Sequence, residues 1–144
     1  SLLTTLTVLA VSFICYAYVD DTDLVHTAKD VHTRGPEMLA EILQAIDHWE
    51  GGLKATGGAL LASKSYWYLI DWEWDNNAWH YCNMTDMPGS LTIRNVSGDS
   101  RVILPWYKPW HAQETLGIFL APDGNNAAQI RKLRFKAEEV ADHI

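Results

Sequence analysis

The stretch Phe13-Ile14-Cys15-Tyr16-Ala17-Tyr18-Val19-Asp20-Asp21 places two adjacent carboxylates directly after a run of apolar and aromatic residues. The first nineteen residues carry no charge, and this run is typical of a buried strand. The two aspartates are therefore expected where the strand leaves the core. Neighbouring carboxylates repel each other, so one takes up a proton unless a cation lies nearby. A divalent ion with oxygen ligands keeps both ionised, which makes Asp20 and Asp21 a candidate metal site.

The residues that follow the aspartates predict a second strand. Residues 22–26 read as a strand that returns after a tight turn, so residues 13–26 are predicted to form a β-hairpin with both carboxylates at its tip. Aspartate is also common in turns for backbone reasons, and a turn without a metal is the alternative interpretation. Asp23 is assigned no ligand role.

Length and composition favour one globular domain. The chain has 144 residues, 48% of them hydrophobic, which is enough for a core. The formal net charge of −7 argues mildly against a free-standing nucleic-acid binder, because such domains carry excess Lys and Arg. The two cysteines, Cys15 and Cys82, lack the spacing of a zinc site or a disulfide framework, and buried reduced thiols are expected.

An amphipathic helix is predicted over residues 36–50. Pro36 suits its first turn, and Gly51-Gly52 is expected to end it. Residues 53–64 are predicted to form a loop. The apolar face of the helix follows from spacings of three and four residues, and its members are Leu39, Ile42, Leu43, Ile46 and Trp49.

The second half of the chain predicts short strands and a last helix. Residues 66–74 and 79–82 flank Asp75-Asn76-Asn77, which indicates an aromatic hairpin. A last helix is expected to begin at Asn126, with Gln129 as its capping-box partner. Hairpin, helix, antiparallel strands and helix in this order predict an α+β fold. Further short strands are expected at residues 91–94, 102–104 and 116–120.

Two surface features have alternative interpretations. The aromatic hairpin could be a stacking platform for bases or sugars, although core and cross-strand packing is the commoner role of such strands. The basic residues of the last helix could follow a nucleic-acid backbone, or they could form an ordinary solvated face. These basic residues are Arg131, Lys132, Arg134 and Lys136.

The hairpin with the two aspartates, the amphipathic helix, the loop and the later strands follow one another along the chain. Their order resembles that of the later palm motifs of reverse transcriptases from retrotransposons and other retroelements. Tyr18-Val19-Asp20-Asp21 resembles the Y-x-D-D hairpin of motif C. Residues 52–64 look like motif D, and Leu116-Gly117 looks like the L-G of the motif E hairpin, the primer grip. Each motif alone is a weak signal, and their order carries the resemblance. It implies a partial polymerase palm over residues 1–124, followed by the start of the thumb or a connecting helix over 125–144.

The resemblance implies an RNA-directed DNA polymerase, a nucleotidyltransferase that joins dNTPs to a primer on an RNA or DNA template. Two Mg²⁺ or Mn²⁺ ions in the complete parent enzyme would stabilise the attacking and leaving oxygens. Asp20 would be the principal ligand and Asp21 the adjunct, while Lys64 would neutralise charge or deliver a proton at the pyrophosphate. Nucleic-acid contacts are expected from Tyr18, Leu116, Gly117, Arg131 and Lys132.

The same resemblance implies a fragment. The family requires an earlier aspartate in motif A, together with motif B and the fingers, and none of these can be placed before Phe13. The isolated chain is therefore expected to be inactive in polymerisation. An intracellular location without a membrane is expected.

The alternative function is a small secreted or membrane-tethered Trp-rich β module that binds carbohydrate or protein. Residues 1–19 would then be a targeting segment. Asn83-Met84-Thr85 and Asn95-Val96-Ser97 would be glycosylation sequons. Against it, residues 1–19 have no basic start and no small-residue cleavage site. A relic without selected activity is a third interpretation.

Overall fold

The computed structural model describes residues 2–8, 11–18, 21–83 and 89–142, with side chains from residue 22 onward. Two helices and a series of short antiparallel strands confirm the predicted α+β class with a C-terminal helix. In chain order the elements are β1 (Leu2–Val8), β2 (Val11–Tyr18), β3 (Asp21–His26), α1 (Gly35–Ala55), a 3₁₀ turn (Ala62–Lys64), β4 (Trp67–Tyr68), β5 (Trp72–Asp75), β6 (Ala78–Tyr81), β7 (Thr92–Arg94), β8 (Arg101–Ile103), β9 (Trp106–Tyr107), β10 (Gln113–Thr115), β11 (Ile118–Leu120) and α2 (Ala127–Ala141).

The chain divides into two compact units. The first unit contains Ser1–Trp67 and Asn83–Pro105, and the second contains Tyr68–Cys82 and Trp106–Ile144. Among the described residues, neither helix has the length and apolar content needed to cross a bilayer.

A three-stranded antiparallel sheet begins the first unit, with the strand order β1-β2-β3. Strands β2 and β3 form the hairpin predicted from the sequence, and Tyr18 pairs directly with Asp21. Strand β1, which was not predicted from the sequence, pairs with the other edge of β2. The strand that leads to the aspartates is therefore the central strand of the sheet.

Helix α1 packs against β3. Leu24 lies against the buried Ala45, together with the half-buried Ile42 and Trp49 of the helix. Along β3, Leu24 is half-buried and the His26 side chain is covered, whereas the intervening Val25 is exposed. This alternation is the pattern of a strand with one covered face.

The prediction that Gly51-Gly52 ends α1 is wrong. The helix continues to Ala55, and Gly57 ends it with a φ of +83°. The Gly58 N–H then donates to the Leu53 carbonyl at 2.8 Å, as in a Schellman motif. A glycine inside a helix costs only about 1 kcal/mol relative to alanine, so a helix stabilised by packing tolerates two.

The predicted loop at residues 53–64 is only partly irregular. Its first residues, 53–55, belong to α1, and Ala62–Lys64 forms one 3₁₀ turn. The remaining residues between these two elements lack regular structure, as predicted.

Strands β7 and β8 form a hairpin that contacts α1 in the first unit. The Arg94 backbone N–H donates to Glu50 Oε1 at 2.8 Å, and Arg101 pairs with Asp47 at 2.8 Å. These polar contacts join the hairpin to α1, which also contributes to the apolar core of this unit. The core residues are Leu39, Ala45, Ile46, Trp67, Leu91, Ile93 and Leu104.

The second unit contains two hairpins with two-residue turns. The predicted aromatic hairpin, β5 and β6, turns at Asn76 and Asn77, whose φ angles of 48° and 61° are those of a type I′ turn. Strands β10 and β11 form the other hairpin. Its turn is Leu116-Gly117. The predicted strand over residues 116–120 is therefore wrong at its start, because β11 begins only at Ile118.

The predicted capping box at the start of α2 is wrong. Asn126 is the N-cap residue but makes no side-chain capping bond, and Asn125 Oδ1 accepts from the Ala127 N–H at 2.9 Å instead. Gln129 Oε1 accepts from the Phe119 N–H at 2.9 Å. Gln129 therefore joins α2 to β11 rather than capping its own helix.

Candidate functional site

The predicted metal site lies where β2 passes into β3. Strand β2 ends at Tyr18, β3 begins at Asp21, and these two residues are register partners. Only residues 19–20 separate the two strands. Asp20 lies outside the described residues, and so do the side chains of Tyr18 and Asp21. What the structure supplies is the backbone of the predicted hairpin on both sides of the aspartate pair.

An ionic cluster fixes the far end of β3 to α1. His26 Nε2 lies 2.7 Å from Glu41 Oε2, and the His26 side chain is only 5% exposed. The Lys29 ammonium pairs with the other oxygen of Glu41. Hydrogen bonds from Lys29 and then from His26 hold the pKa of Glu41 below its ordinary value of 4.5. An ionised carboxylate of α1 thus anchors the strand that begins with Asp21.

Lys64 is the last residue of the 3₁₀ turn in the first unit. Its side chain is exposed, and its backbone N–H donates to the Leu61 carbonyl at 3.0 Å. Its ammonium forms no ion pair with another described residue, which leaves it accessible to an anionic ligand.

Three of the predicted nucleic-acid-binding residues meet in the second unit. Leu116 and Gly117 form the β10–β11 turn with φ angles of 52° and 81°. The Lys132 ammonium donates to the Gly117 carbonyl at 2.8 Å and also pairs with Glu114. It lies 5.3 Å from the centroid of the Phe119 ring. Lys132 is thereby engaged within the protein and holds this turn against α2.

Arg131, the neighbouring predicted contact, is exposed on α2. Its Nε donates to the Ala127 carbonyl of the same helix at 3.4 Å. The guanidinium keeps most of its donors for an external partner.

An exposed aromatic cluster forms a second candidate site in the second unit. Trp72 is the register partner of Tyr81, and Trp74 is the partner of Trp79, so all four residues share one face of the hairpin. The Tyr81 ring also lies 5.6 Å from that of Trp110. We call Trp72, Trp74, Trp79, Tyr81 and Trp110 the aromatic face.

The aromatic face shows cross-strand packing without burial. The predicted strand over residues 66–74 is divided into β4 and β5, and the expected core position holds only for its first part, where Trp67 and Leu69 are buried. It is wrong for the hairpin itself, because every residue of β5 is exposed. The sequence carried a signal for this outcome. In Trp72-Glu73-Trp74-Asp75 the aromatic residues alternate with carboxylates, which indicates a ribbon with one aromatic face and one acidic face.

No three His, Cys, Asp or Glu side chains come together as a metal site within the part of the chain whose side chains are described. The aspartates of the hairpin tip are not among these residues. Cys82, one of the two thiols expected to be buried, is half-buried.

Comparisons of the chain with protein-family models, with curated proteins and with solved structures gave no match.

Proposed function

We propose that this chain is part of a retroelement-type RNA-directed DNA polymerase. Residues 1–124 would belong to the palm, and residues 125–144 would begin the thumb or a connecting helix. The observation that carries the proposal is the register of β2 and β3, with Tyr18 opposite Asp21. A Y-x-D-D metal site requires a strand reversal at this point of the sequence.

Asp20 and Asp21 would hold the metal. Both side chains offer carboxylate oxygens, the donors that suit Mg²⁺ and Mn²⁺. Two such ions, when bound in the complete enzyme, stabilise the attacking and leaving oxygens of phosphoryl transfer. The chain contributes a rigid support, because β2 has a partner strand on each side and Glu41 anchors the end of β3.

The other predicted residues would serve the nucleotide and the primer. Lys64 is exposed and would neutralise charge at the leaving pyrophosphate. Leu116 and Gly117 would contact the primer strand. Lys132 would act mainly as a positioning residue, since its ammonium already binds the Gly117 carbonyl. Template, primer and dNTP are the partners that this proposal requires.

Metal binding by the 144-residue chain tests the proposal directly. Mn²⁺ added to the ¹⁵N-labelled protein is expected to broaden the backbone amide signals of Tyr18 and Asp21 first. A variant with Asp20→Asn and Asp21→Asn should lose this effect, because amides are weaker ligands than carboxylates. Asp23→Asn, two residues along β3, is the matched control and should retain it. An unchanged Mn²⁺ titration in the double variant would overturn the proposal.

The exposed aromatic face is the observation that favours the alternative, a Trp-rich module that binds carbohydrate or protein. Tryptophan rings stack on sugars as well as on bases. In that case Mn²⁺ would leave the hairpin tip unaffected, while a soluble oligosaccharide would shift the indole N–H signals of the aromatic face.

A further inference from the structure

The aromatic face presents several large planar side chains to solvent. Trp72, Trp74, Trp79 and Trp110 are 43%, 56%, 63% and 47% exposed. Scattered exposed apolar residues need no explanation, but a contiguous patch marks an interaction site. The patch contains rings rather than aliphatic chains, which suits a flat ligand.

Cross-strand contacts order these rings before any ligand arrives. The Trp72 and Tyr81 ring centroids are 3.9 Å apart, and those of Trp74 and Trp79 are 5.3 Å apart with a T-shaped geometry. A side chain that is already packed loses little rotamer freedom on binding. A ring that uses one side for its partner keeps the other side for a ligand.

The charges around the hairpin are segregated. Strand alternation places Glu73 and Asp75 on the opposite face from Trp72 and Trp74. At the end near Trp110, the Lys108 ammonium lies 5.3 Å from the ring centroid. The aromatic face therefore combines stacking surfaces with a cation at one end, whereas the carboxylates of β5 lie behind it. This combination is complementary to bases joined by phosphates.

We propose that the aromatic face binds single-stranded nucleic acid by stacking unpaired bases on Trp74 and Trp79, with Lys108 contacting a phosphate. Stacking on an aromatic side chain strengthens binding by about fivefold to 100-fold per base and tolerates any sequence. The choice of nucleic acid over an oligosaccharide as the ligand rests on the proposed polymerase function. The existence of a stacking surface rests on the exposure of the rings alone. This site would hold an unpaired strand, and its residues are different from those of the metal hairpin.

Indole N–H signals provide the measurement. The chain has seven tryptophans, of which four belong to the aromatic face. Decathymidylate, added without divalent metal, should shift the signals of these four and leave those of Trp49, Trp67 and Trp106 in place. An abasic oligomer of the same length carries the phosphates without the bases. Without bases to stack on Trp74 and Trp79, the abasic oligomer should bind at least about 25-fold more weakly.

Matched variants separate stacking from folding. Trp74→Ala with Trp79→Ala removes two stacking positions and should weaken decathymidylate binding at least about 25-fold, while Trp74→Phe with Trp79→Phe should stay within about threefold of the parent chain. Phe135→Ala removes a 68% exposed aromatic residue of α2 and should leave binding unchanged. Unshifted Trp67 and Trp106 signals in every variant show that the first and the second unit are both folded.

Several results would overturn the proposal. They are the absence of shifts with decathymidylate at low salt, equal binding of the abasic oligomer, and equal binding by the alanine double variant. Shifts with chitohexaose or cellohexaose but not with decathymidylate would assign the face to carbohydrate instead. The Mn²⁺ titration measures residues of the hairpin tip, whereas the stacking experiment measures the aromatic face. Each proposal can therefore fail while the other is supported.

Discussion

Lys132 donates a hydrogen bond from its ammonium to the Gly117 carbonyl over 2.8 Å, and this contact joins α2 to the β10–β11 turn. The turn needs such support because Leu116 has a φ of 52°, a region that costs a non-glycine residue about 1–2 kcal/mol. Lys132 also pairs with Glu114, the residue two before Leu116. One side chain of the helix thus fixes both the turn and the strand that leads to it.

Lys132→Met should lower the free energy of unfolding by about 0.5–1.5 kcal/mol, because the exposed Gly117 carbonyl exchanges a charged donor for water. Urea denaturation measures this change, and faster amide exchange at Leu116 and Gly117 should accompany it. Lys136→Met is the control, since Lys136 is exposed on the same helix and makes no ion pair within the described chain. Equal effects of the two substitutions would contradict the role assigned to Lys132.

Two glycines of similar local sequence should respond in opposite ways to alanine. Gly57→Ala should destabilise the protein by about 1–2 kcal/mol, because its φ of +83° is unfavourable for a residue with a Cβ. Gly51→Ala should stabilise it by about 1 kcal/mol, since Gly51 is helical and no atom from elsewhere in the described chain lies within 4 Å of the added Cβ. Urea midpoints of both variants check the pair. Destabilisation by Gly51→Ala would mean that α1 ends where the glycine pair begins.

Features with a strong local signal could be predicted from the sequence. The β2–β3 hairpin follows from an uncharged run of strand-forming residues and an abrupt pair of aspartates. Asn76 and Asn77 predict the turn of the aromatic hairpin, because asparagine tolerates positive φ. The pairing of the two strands that flank Asp20 was therefore predictable.

Features that depend on tertiary contacts could not be predicted. The glycine pair is a local stop signal, but packing of α1 against β3 and β7 outweighs it. Gln129 has the spacing of a capping residue, yet its Oε1 accepts a hydrogen bond from the Phe119 N–H of β11 instead. Lys132 was predicted to contact nucleic acid because it is one of several basic residues on the last helix. Its partners within the protein depend on the packing of α2 against the β10–β11 hairpin, which the local sequence does not specify.

Acid should weaken the anchor of β3 through Glu41. The pKa of Glu41 is lowered in the folded protein by hydrogen bonds from Lys29 and then His26. The folded state therefore binds fewer protons than the unfolded state just below pH 4.5, the ordinary pKa of this group. The stabilisation is fully present above that pH and is lost as the pH falls through the lowered pKa.

Glu41→Gln should accordingly reduce stability at neutral pH by about 1–3 kcal/mol and flatten the loss of stability below pH 4.5. Urea unfolding across an acid pH series measures both effects. Glu37→Gln, an exposed position in the first turn of the same helix, is the control and should keep the acid dependence of the parent chain. Equal acid dependence in the parent chain and in Glu41→Gln would contradict the assignment.

Template-directed synthesis should require more than these 144 residues. Asp20 and Asp21 supply carboxylates from one hairpin only, whereas a two-metal site needs a further carboxylate and a surface that holds the paired template and nucleotide. The purified chain with Mg²⁺ or Mn²⁺ should therefore incorporate no dNTP into a primed template.

A longer chain that adds an upstream aspartate-bearing strand and the nucleotide-binding fingers should be active. In that chain Asp20→Asn should lower the rate at least about 100-fold, while Asp23→Asn should have little effect. Primer extension by the 144-residue chain itself, abolished by Asp20→Asn, would show that the metal site is already complete within it.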